Sequence, residues 1–236
     1  MKPSTNKMPL HVGIILDGNR RFAKKLMLKP WKGHEWGARK VESLLTWAQE
    51  LSVKELTLYS FSIQNMNRPK QEFDYLMKLM EKEFTALLAD KRVFDESIKV
   101  NIIGRIHLLP SNVREVMEEV MDKTKSHTKF TLNFAIAYGG REEVLDAVMK
   151  LGQDIKDGLV EVSKINEDIF QNYLYTAAQP DLIIRTGGDH RTSNFLIWQS
   201  NYSEWFFLEK TWPEFEKEDF VKVLDDFNAR ERRFGK

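Results

Sequence analysis

Cysteine is absent from the 236 residues. That removes disulfide frameworks, thiol nucleophiles and cysteine-ligated zinc at once. No apolar run approaches the roughly 18 residues that a membrane span requires, and the N-terminus has no apolar signal core. A cytoplasmic protein, peripheral to a membrane at most, is the expectation. Cations and acids nearly cancel, 36 Lys+Arg against 35 Asp+Glu, giving a net charge of +1. No nucleic-acid partner is implied by such a balance, so any anion site must arise from local clustering. Also missing are G-x-x-x-x-G-K-[ST], G-x-G-x-x-G, a serine-triad motif, His/Cys zinc spacing, internal repeats and low-complexity segments. The chain is 42% hydrophobic and 30% charged, which suits one α/β domain.

What is present begins with MPLHVGIILDGNRRFAKK, residues 8–25. Residues 11–16 form a short apolar run rich in β-branched side chains, a buried strand. Asp17-Gly18-Asn19 is turn chemistry, and Arg20-Arg21-Phe22-Ala23-Lys24-Lys25 resumes with helix formers. Ligands of open α/β sheets sit beyond the strands' carboxyl ends. Arginine suits diphosphate, and an aspartate beside phosphate suits Mg²⁺.

Further along, Gly33 opens a helix to about Leu51, with His34 in its first turn. Residues 55–61 alternate as a strand that runs into the polar segment Ser62-Ile63-Gln64-Asn65-Met66-Asn67-Arg68-Pro69. Asn67 is available as a helix N-cap, and Pro69 suits a helix start. The helix expected from Pro69 to Lys91 carries an apolar stripe of Phe73, Leu76, Met77, Met80, Phe84, Leu87 and Leu88. Such a stripe builds core, and its methionines also suit an elongated apolar ligand. Strands are expected over 98–103, 130–135, 181–184 and 205–208. Helices are expected over 111–125, 142–156, 166–175 and 217–229, with 195–198 a short helix or extended segment.

The fifth strand ends in Arg185-Thr186-Gly187-Gly188-Asp189-His190-Arg191-Thr192-Ser193-Asn194, a second anion signal. Strands alternating with helices imply a mostly parallel sheet covered on both faces. The clusters after strands one, two and five then share one edge. Arg20, Arg21, Arg68, Arg185 and Arg191 are more grips than one diphosphate needs, so two phosphorylated substrates are implied. Asp17 is the evident metal ligand, and transfer or departure of a phosphorylated group is the expected chemistry.

HVGIILDGNRRFA, GHEWG, YSFSIQNMNRP, AYGGR, DLIIRTGGDHRTSNFLIWQ, YSEWFF and the terminal RERRFG occur in that order. Together they resemble the cis-prenyltransferases, the undecaprenyl and dehydrodolichyl diphosphate synthase family, over about His11 to Gly235. The resemblance implies a single domain. Its expected fold is a six-stranded, mostly parallel sheet flanked by helices, with an apolar tunnel for the growing isoprenoid. It also implies a Mg²⁺-dependent condensation of isopentenyl diphosphate onto an allylic prenyl diphosphate, forming cis double bonds. A homodimer and transient membrane-surface contact for product release follow by analogy.

Carried onto this chain, the family's pattern makes Asp17 the essential carboxylate, holding Mg²⁺. Gly18, Asn19, Arg20, Arg21 and Phe22 cradle the allylic diphosphate, and His34 contacts it. Ser62, Ile63, Gln64, Asn65, Met66 and Arg68 lie beside the reacting centre, with Asn65 assisting proton removal or orienting the substrate. Arg185, Arg191, Thr192 and Ser193 grip isopentenyl diphosphate. Glu204 is a second metal carboxylate, with His190 a weaker candidate near it. Arg233 and Gly235 form an R-x-G ending that reaches the partner subunit, residues 230–236 being that tail and 1–7 a loose lead-in.

Four positions depart from the family's pattern, the mildest being Phe22 in place of a frequent tryptophan. Gln64 stands where S-x-E-N-W-x-R-P has glutamate, Met66 replaces its tryptophan, and Pro30 replaces an arginine. An irregular coupling of dimethylallyl diphosphate, or use of a prenyl alcohol acceptor, is the enzymatic alternative these substitutions raise. A non-catalytic partner subunit is the other, against which Asp17, Arg21, Arg185 and Arg191 are all retained.

Overall fold

The structure is a computed structural model that describes residues 8–230. The first unit is β1 (His11–Ile15), α1 (Asn19–Lys25) and α2 (Gly33–Glu50). β2 (Glu55–Ser62), α3 (Lys70–Ala89) and the short α4 (Lys91–Asp95) follow. β3 (Ile98–Ile103), α5 (Ser111–Thr124), β4 (Phe130–Tyr138) and α6 (Gly140–Lys156) complete one half. α7 (Glu167–Gln171), β5 (Leu182–Arg185), β6 (Glu204–Phe207) and α8 (Lys217–Ala229) close the fold.

The six strands form one sheet in the order β3-β4-β2-β1-β5-β6. Every pairing is parallel, so the sheet is fully rather than mostly parallel among the described residues. Parallel strands covered on both faces read as continuous apolar runs, and all five residues of β1 are buried. Alternation divides them. Val12 and Ile14 join Leu56, Leu58, Leu182 and Ile184 in the larger core, with Leu44, Leu76, Phe84, Met117 and Phe220 of the helices. Ile15 and Ile183 face the other way, with Tyr59, Tyr138, Phe195 and Leu196.

Strand order reverses between β1 and β5. A crevice opens at such a switch point beyond the carboxyl ends, and it is flanked here by Asp17 and Arg185.

Element boundaries differ from expectation where a side chain or turn overrides periodicity. β4 runs on to Tyr138, because Ile136 and Tyr138 still pair with β2. The helix expected over 166–175 shrinks to Glu167–Gln171, capped by Asn166 at Ile169. Residues 195–198 form turns. Asn67 does not cap α3. It ends a short 3-10 turn, Ile63–Asn67, and Pro69 occupies the cap.

Candidate active site

The turn after β1 is fixed by backbone geometry before any side chain acts. Gly18 has φ +103°, and a Cβ there would lie 2.5 Å from Thr211 Cβ. Only glycine meets both conditions without strain. The Asp17 carbonyl accepts from Thr186 Oγ1 and from the Trp212 N–H, each at 2.8 Å. Asp17 is thereby tied to the segments after β5 and β6.

Its carboxylate is held on both oxygens. Oδ1 accepts from the Gly18 N–H at 2.6 Å and lies 3.1 Å from Arg21 Nη2. Oδ2 accepts from Arg185 Nη2 at 2.8 Å. Burial opposes ionisation of Asp17, but the Arg185 and Arg21 guanidiniums and the Gly18 N–H outweigh it. The carboxyl is held below the ordinary range.

Arg185 is buried at the end of β5, only 3% exposed. Its Nη1 donates to Ser193 Oγ at 2.6 Å and to the Arg191 carbonyl. Its Nε, by contrast, has no partner. Arg185 therefore orders Asp17 and the 191–193 loop together. Arg191 itself is exposed and pairs bidentately with Asp189 at 2.9 and 3.0 Å. Asp189 also accepts from Arg21 at 3.3 Å, so one carboxylate tethers both loops. Thr192 is exposed beside them.

A third cluster comes from α1, α2 and the start of α3. Glu72, 2% exposed, lies 2.9 Å from Arg68 Nη1 and 3.6 Å from Arg20 Nε. His34 Nε2 lies 3.3 Å from the same Arg68 nitrogen. Burial first, and then the Arg68 and Arg20 charges, lower the His34 pKa to about 3. The ring is neutral at physiological pH; its Nε2 accepts from Arg68, which leaves Nδ1–H as a donor.

Ser62 and Asn65 cap each other. Ser62 N–H donates to Asn65 Oδ1 at 3.0 Å, and Asn65 N–H donates to Ser62 Oγ at 3.3 Å. The amide oxygen is thus occupied in holding the turn. Ile63 and Met66 pack on the core beside this turn, while Gln64 is exposed. Phe22 lies edge-on to Trp36 at 5.9 Å. Asn19 is buried, with Nδ2 donating to the Leu16 carbonyl at 2.9 Å and Oδ1 unpartnered.

Asn19, His34 and Ser60 also line a cavity between the sheet and helices α2 and α3. Its walls are apolar, among them Val41, Leu45, Leu76, Met80, Phe84 and Leu87. Glu42, Glu83, Asp90 and Arg92 add charge along it. The α3 stripe, expected to build core and to suit an elongated apolar ligand, builds core and also borders the cavity: Leu76 and Phe84 are buried, and both line it.

One pairing expected from the family pattern is not made within the chain. Glu204 opens β6 and pairs in register with Leu182, which pairs with Val12. Asp17 lies five residues past Val12, about 15 Å farther at the rise of a strand. Parallel strands put the start of β6 on the amino edge and Asp17 on the carboxyl edge. Glu204 is paired instead with Arg230 at 2.6 Å, so Asp17 and Glu204 of one chain do not share a metal. His190 stacks on Phe207 with centroids 5.0 Å apart, near Glu209. Arg233 and Gly235 lie outside the described residues.

No group of three or more His, Asp or Glu side chains is placed to cage a metal among the described residues. That donor set still suits Mg²⁺, which commonly takes one or two protein carboxylates, with substrate phosphates and water completing its shell. Asp17, part-exposed and flanked by the Arg21 and Arg185 guanidiniums, fits that pattern.

Two functional residues escaped the motifs. Glu72 was legible only as the i+4 partner of Arg68. Asp189 sat unremarked among arginines whose loops it joins.

A buried parallel sheet whose switch point carries arginines with the carboxylates of Asp17 and Asp189, beside an apolar cavity, suits a transferase acting on anionic-headed apolar substrates. Residues 15–235 match the family model described as putative undecaprenyl diphosphate synthase. The chain belongs to that family and is a cis-prenyltransferase. It is 46% identical to the tritrans,polycis-undecaprenyl-diphosphate synthase (geranylgeranyl-diphosphate specific) of Methanopyrus kandleri, covering 100% of this chain and 88% of that protein. The protein of the same description from Pyrococcus horikoshii is also 46% identical, at 100% and 90% coverage.

Among solved structures, lavandulyl diphosphate synthase from Lavandula x intermedia, in complex with dimethylallyl diphosphate, superposes with TM-score 0.90 at 31% identity. The match covers 97% of this chain and 99% of that one. A probable undecaprenyl diphosphate synthase from Campylobacter jejuni gives TM-score 0.81 at 30% identity, covering 98% and 100%.

Proposed function

We propose that this enzyme elongates an allylic prenyl diphosphate with isopentenyl diphosphate, laying down cis double bonds and giving a polyprenyl diphosphate. The observation that carries the reading is the Asp17–Arg21–Arg185 cluster beside the apolar cavity, which Leu16 and Asn19 on either side of Asp17 line.

In this reading Arg20, Arg21 and the backbone of Gly18 and Asn19 hold the allylic diphosphate, and its tail enters the tunnel. Arg191, Thr192 and Ser193 hold isopentenyl diphosphate. Arg185 keeps Asp17 ionised and in place. His34 and Arg68 border the reacting carbons, and the amide of Asn65 orients the acceptor. The allylic C–O bond breaks, a new C–C bond forms to the isopentenyl double bond, and a proton leaves the acceptor.

Mg²⁺ would be held by Asp17 and the substrate's own oxygens, and when bound it supplies charge neutralisation to the departing diphosphate. Gathering both substrates in one desolvated cleft supplies the rest of the acceleration through orientation.

The primer we favour is geranylgeranyl diphosphate, for which the archaeal relatives are named specific. From Leu76 to Leu87 the tunnel wall runs about 17 Å along α3. A five-carbon unit has four backbone bonds, so about four such units fit extended. Longer products must bend or leave the tunnel. Contact with a membrane surface at product release follows from that. We also propose a homodimer. Leu145, Val148 and Met149 lie 59, 51 and 64% exposed on one stripe of α6, a face suited to a second copy.

The departures at Gln64 and Met66, with the likeness to lavandulyl diphosphate synthase, support one competing reading, an irregular coupling of dimethylallyl diphosphate. One incubation separates the two. Purified protein is given Mg²⁺, labelled isopentenyl diphosphate and a series of allylic primers, and in parallel dimethylallyl diphosphate alone. A ladder of cis-extended products lost on chelation supports elongation. A single branched product from dimethylallyl diphosphate alone supports the alternative.

A further inference from the structure

We propose that the segment joining α1 to α2 is a finger that docks on an anionic lipid bilayer, holding the tunnel against the membrane. The inference deepens the membrane contact proposed above and rests on it for its purpose. Its observations are independent of the catalytic residues.

Leu26, Met27 and Leu28 are three consecutive large apolar side chains, 45, 94 and 40% exposed. Scattered exposed apolar residues are ordinary, but contiguous ones at a loop tip mark a contact. The backbone adds a second observation. α1 ends in a Schellman motif: Met27 N–H donates to the Lys24 carbonyl at 3.0 Å, and Leu28 N–H to that of Ala23 at 2.9 Å. The left-handed position of that motif usually holds glycine, yet here it holds Met27, at φ +57°. The chain tolerates a strained backbone to keep a long, flexible apolar side chain almost wholly in solvent. Strain retained at a surface position points to function.

Charge identifies the partner. Between Asn19 and Gly33 the sequence has six cationic side chains and no acidic one. Arg20 and Arg21 belong to the site. Lys25 pairs with Glu214 and Lys32 with Glu35. Lys24 has no carboxylate partner among the described residues, and Lys29 lies 5.4 Å over the Trp31 ring. An apolar tip ringed by lysines beside a tryptophan is the chemistry of the bilayer interface, apolar atoms among the acyl chains and ammonium groups at anionic headgroups.

Placement supplies the reason. The finger's two ends are α1, which begins at Asn19, and α2, whose first turn holds His34. Both residues line the tunnel, so a bilayer gripped by the finger lies beside it. Three residues and a few lysines give a reversible hold, which suits repeated collection of primer and discharge of product.

The test is co-sedimentation of the full chain with vesicles of phosphatidylcholine plus phosphatidylglycerol, against phosphatidylcholine alone. Wild type is expected to partition onto the anionic vesicles and to lose binding as salt rises. Met27→Gly is expected to lower the partition at least about tenfold, from loss of one buried apolar side chain. The same substitution relieves the backbone, so thermal stability rises while binding falls, a combination that misfolding cannot produce. Lys24→Gln and Lys29→Gln are each expected to cost about fivefold.

Unchanged binding by these variants overturns the finger while leaving membrane contact in place. Equal binding to both vesicle types, or no binding by wild type, overturns it as well. A change of oligomeric state in Met27→Gly without lipid would reassign the tip to a protein contact. Prenyl transfer on soluble short primers, measured in parallel, reports separately on the enzymatic reading.

Discussion

Arg185 and Asp17, 168 residues apart in sequence, share a 2.8 Å contact between Nη2 and Oδ2 across the carboxyl ends of β5 and β1. The arginine is buried, and its Nη1 fastens the loop that carries Arg191 and Ser193. Arg185→Lys keeps a charge but not the fork that reaches Asp17 and Ser193 together. We expect the turnover rate to fall about a hundredfold. The acid limb of its pH profile should also move up, as Asp17 loses the partner that holds its pKa down. Steady-state rates from pH 4 upward check both outcomes. An unmoved acid limb would show that Arg185 does not act through Asp17.

Removing the Asp17 carboxylate as Asp17→Asn keeps shape and should leave diphosphate binding nearly intact. Turnover should fall by roughly a thousandfold, the scale seen when a preorganised charge at the reacting bond is lost. Calorimetric titration with an allylic diphosphate, beside product assays, separates the two effects.

Glu72 is the buried counter-charge for Arg68 and Arg20. Glu72→Gln leaves two cations facing a neutral amide, and breaking a buried pair this way costs about 3–5 kcal/mol. The expected result is a fall in thermal stability with a rise in KM for the allylic substrate. Arg68→Met in the same background should restore part of the stability and none of the activity. A double-mutant cycle reads the coupling.

His34, with its pKa lowered to about 3, binds a proton in the unfolded chain before it does so in the folded one. Its contribution is therefore complete above about pH 6.5 and is lost as pH falls toward 3, at up to about 1.4 kcal/mol per pH unit. His34→Gln should flatten the slope of unfolding free energy between pH 6.5 and 4. Denaturant melts at several pH values test this, and an unchanged slope would place the lost stability elsewhere.

Leu87 lies on the tunnel wall about three turns of α3 beyond Leu76. Leu87→Trp should shorten the products and leave the first condensation close to wild-type rate, since the change is remote from Asp17. Mass spectrometry of the product ladder decides. An unaltered ladder would mean that the growing chain does not reach that depth.

Local chemistry alone exposed much of this protein. β1, β2 and β5 are apolar runs ending in polar clusters, so the sequence pattern already contained the sheet, its strand ends and the arginines that gather there. The Asp-Gly-Asn turn was equally legible, because only glycine accepts the φ of Gly18 against Thr211. Long-range partners were not legible. That Arg185 spends its guanidinium on Asp17 and Ser193, that Asp189 joins two loops, and that Glu72 sits beneath Arg68 and Arg20 depend on strand order. Register sets Glu204 on the amino edge with Arg230, away from Asp17 of the same chain, which the sequence motifs did not show. Residue types and their period thus determined the elements and the chemical character of each strand end. The sheet's topology alone decided which ends meet, because burial and counter-charge are properties of what comes together in space.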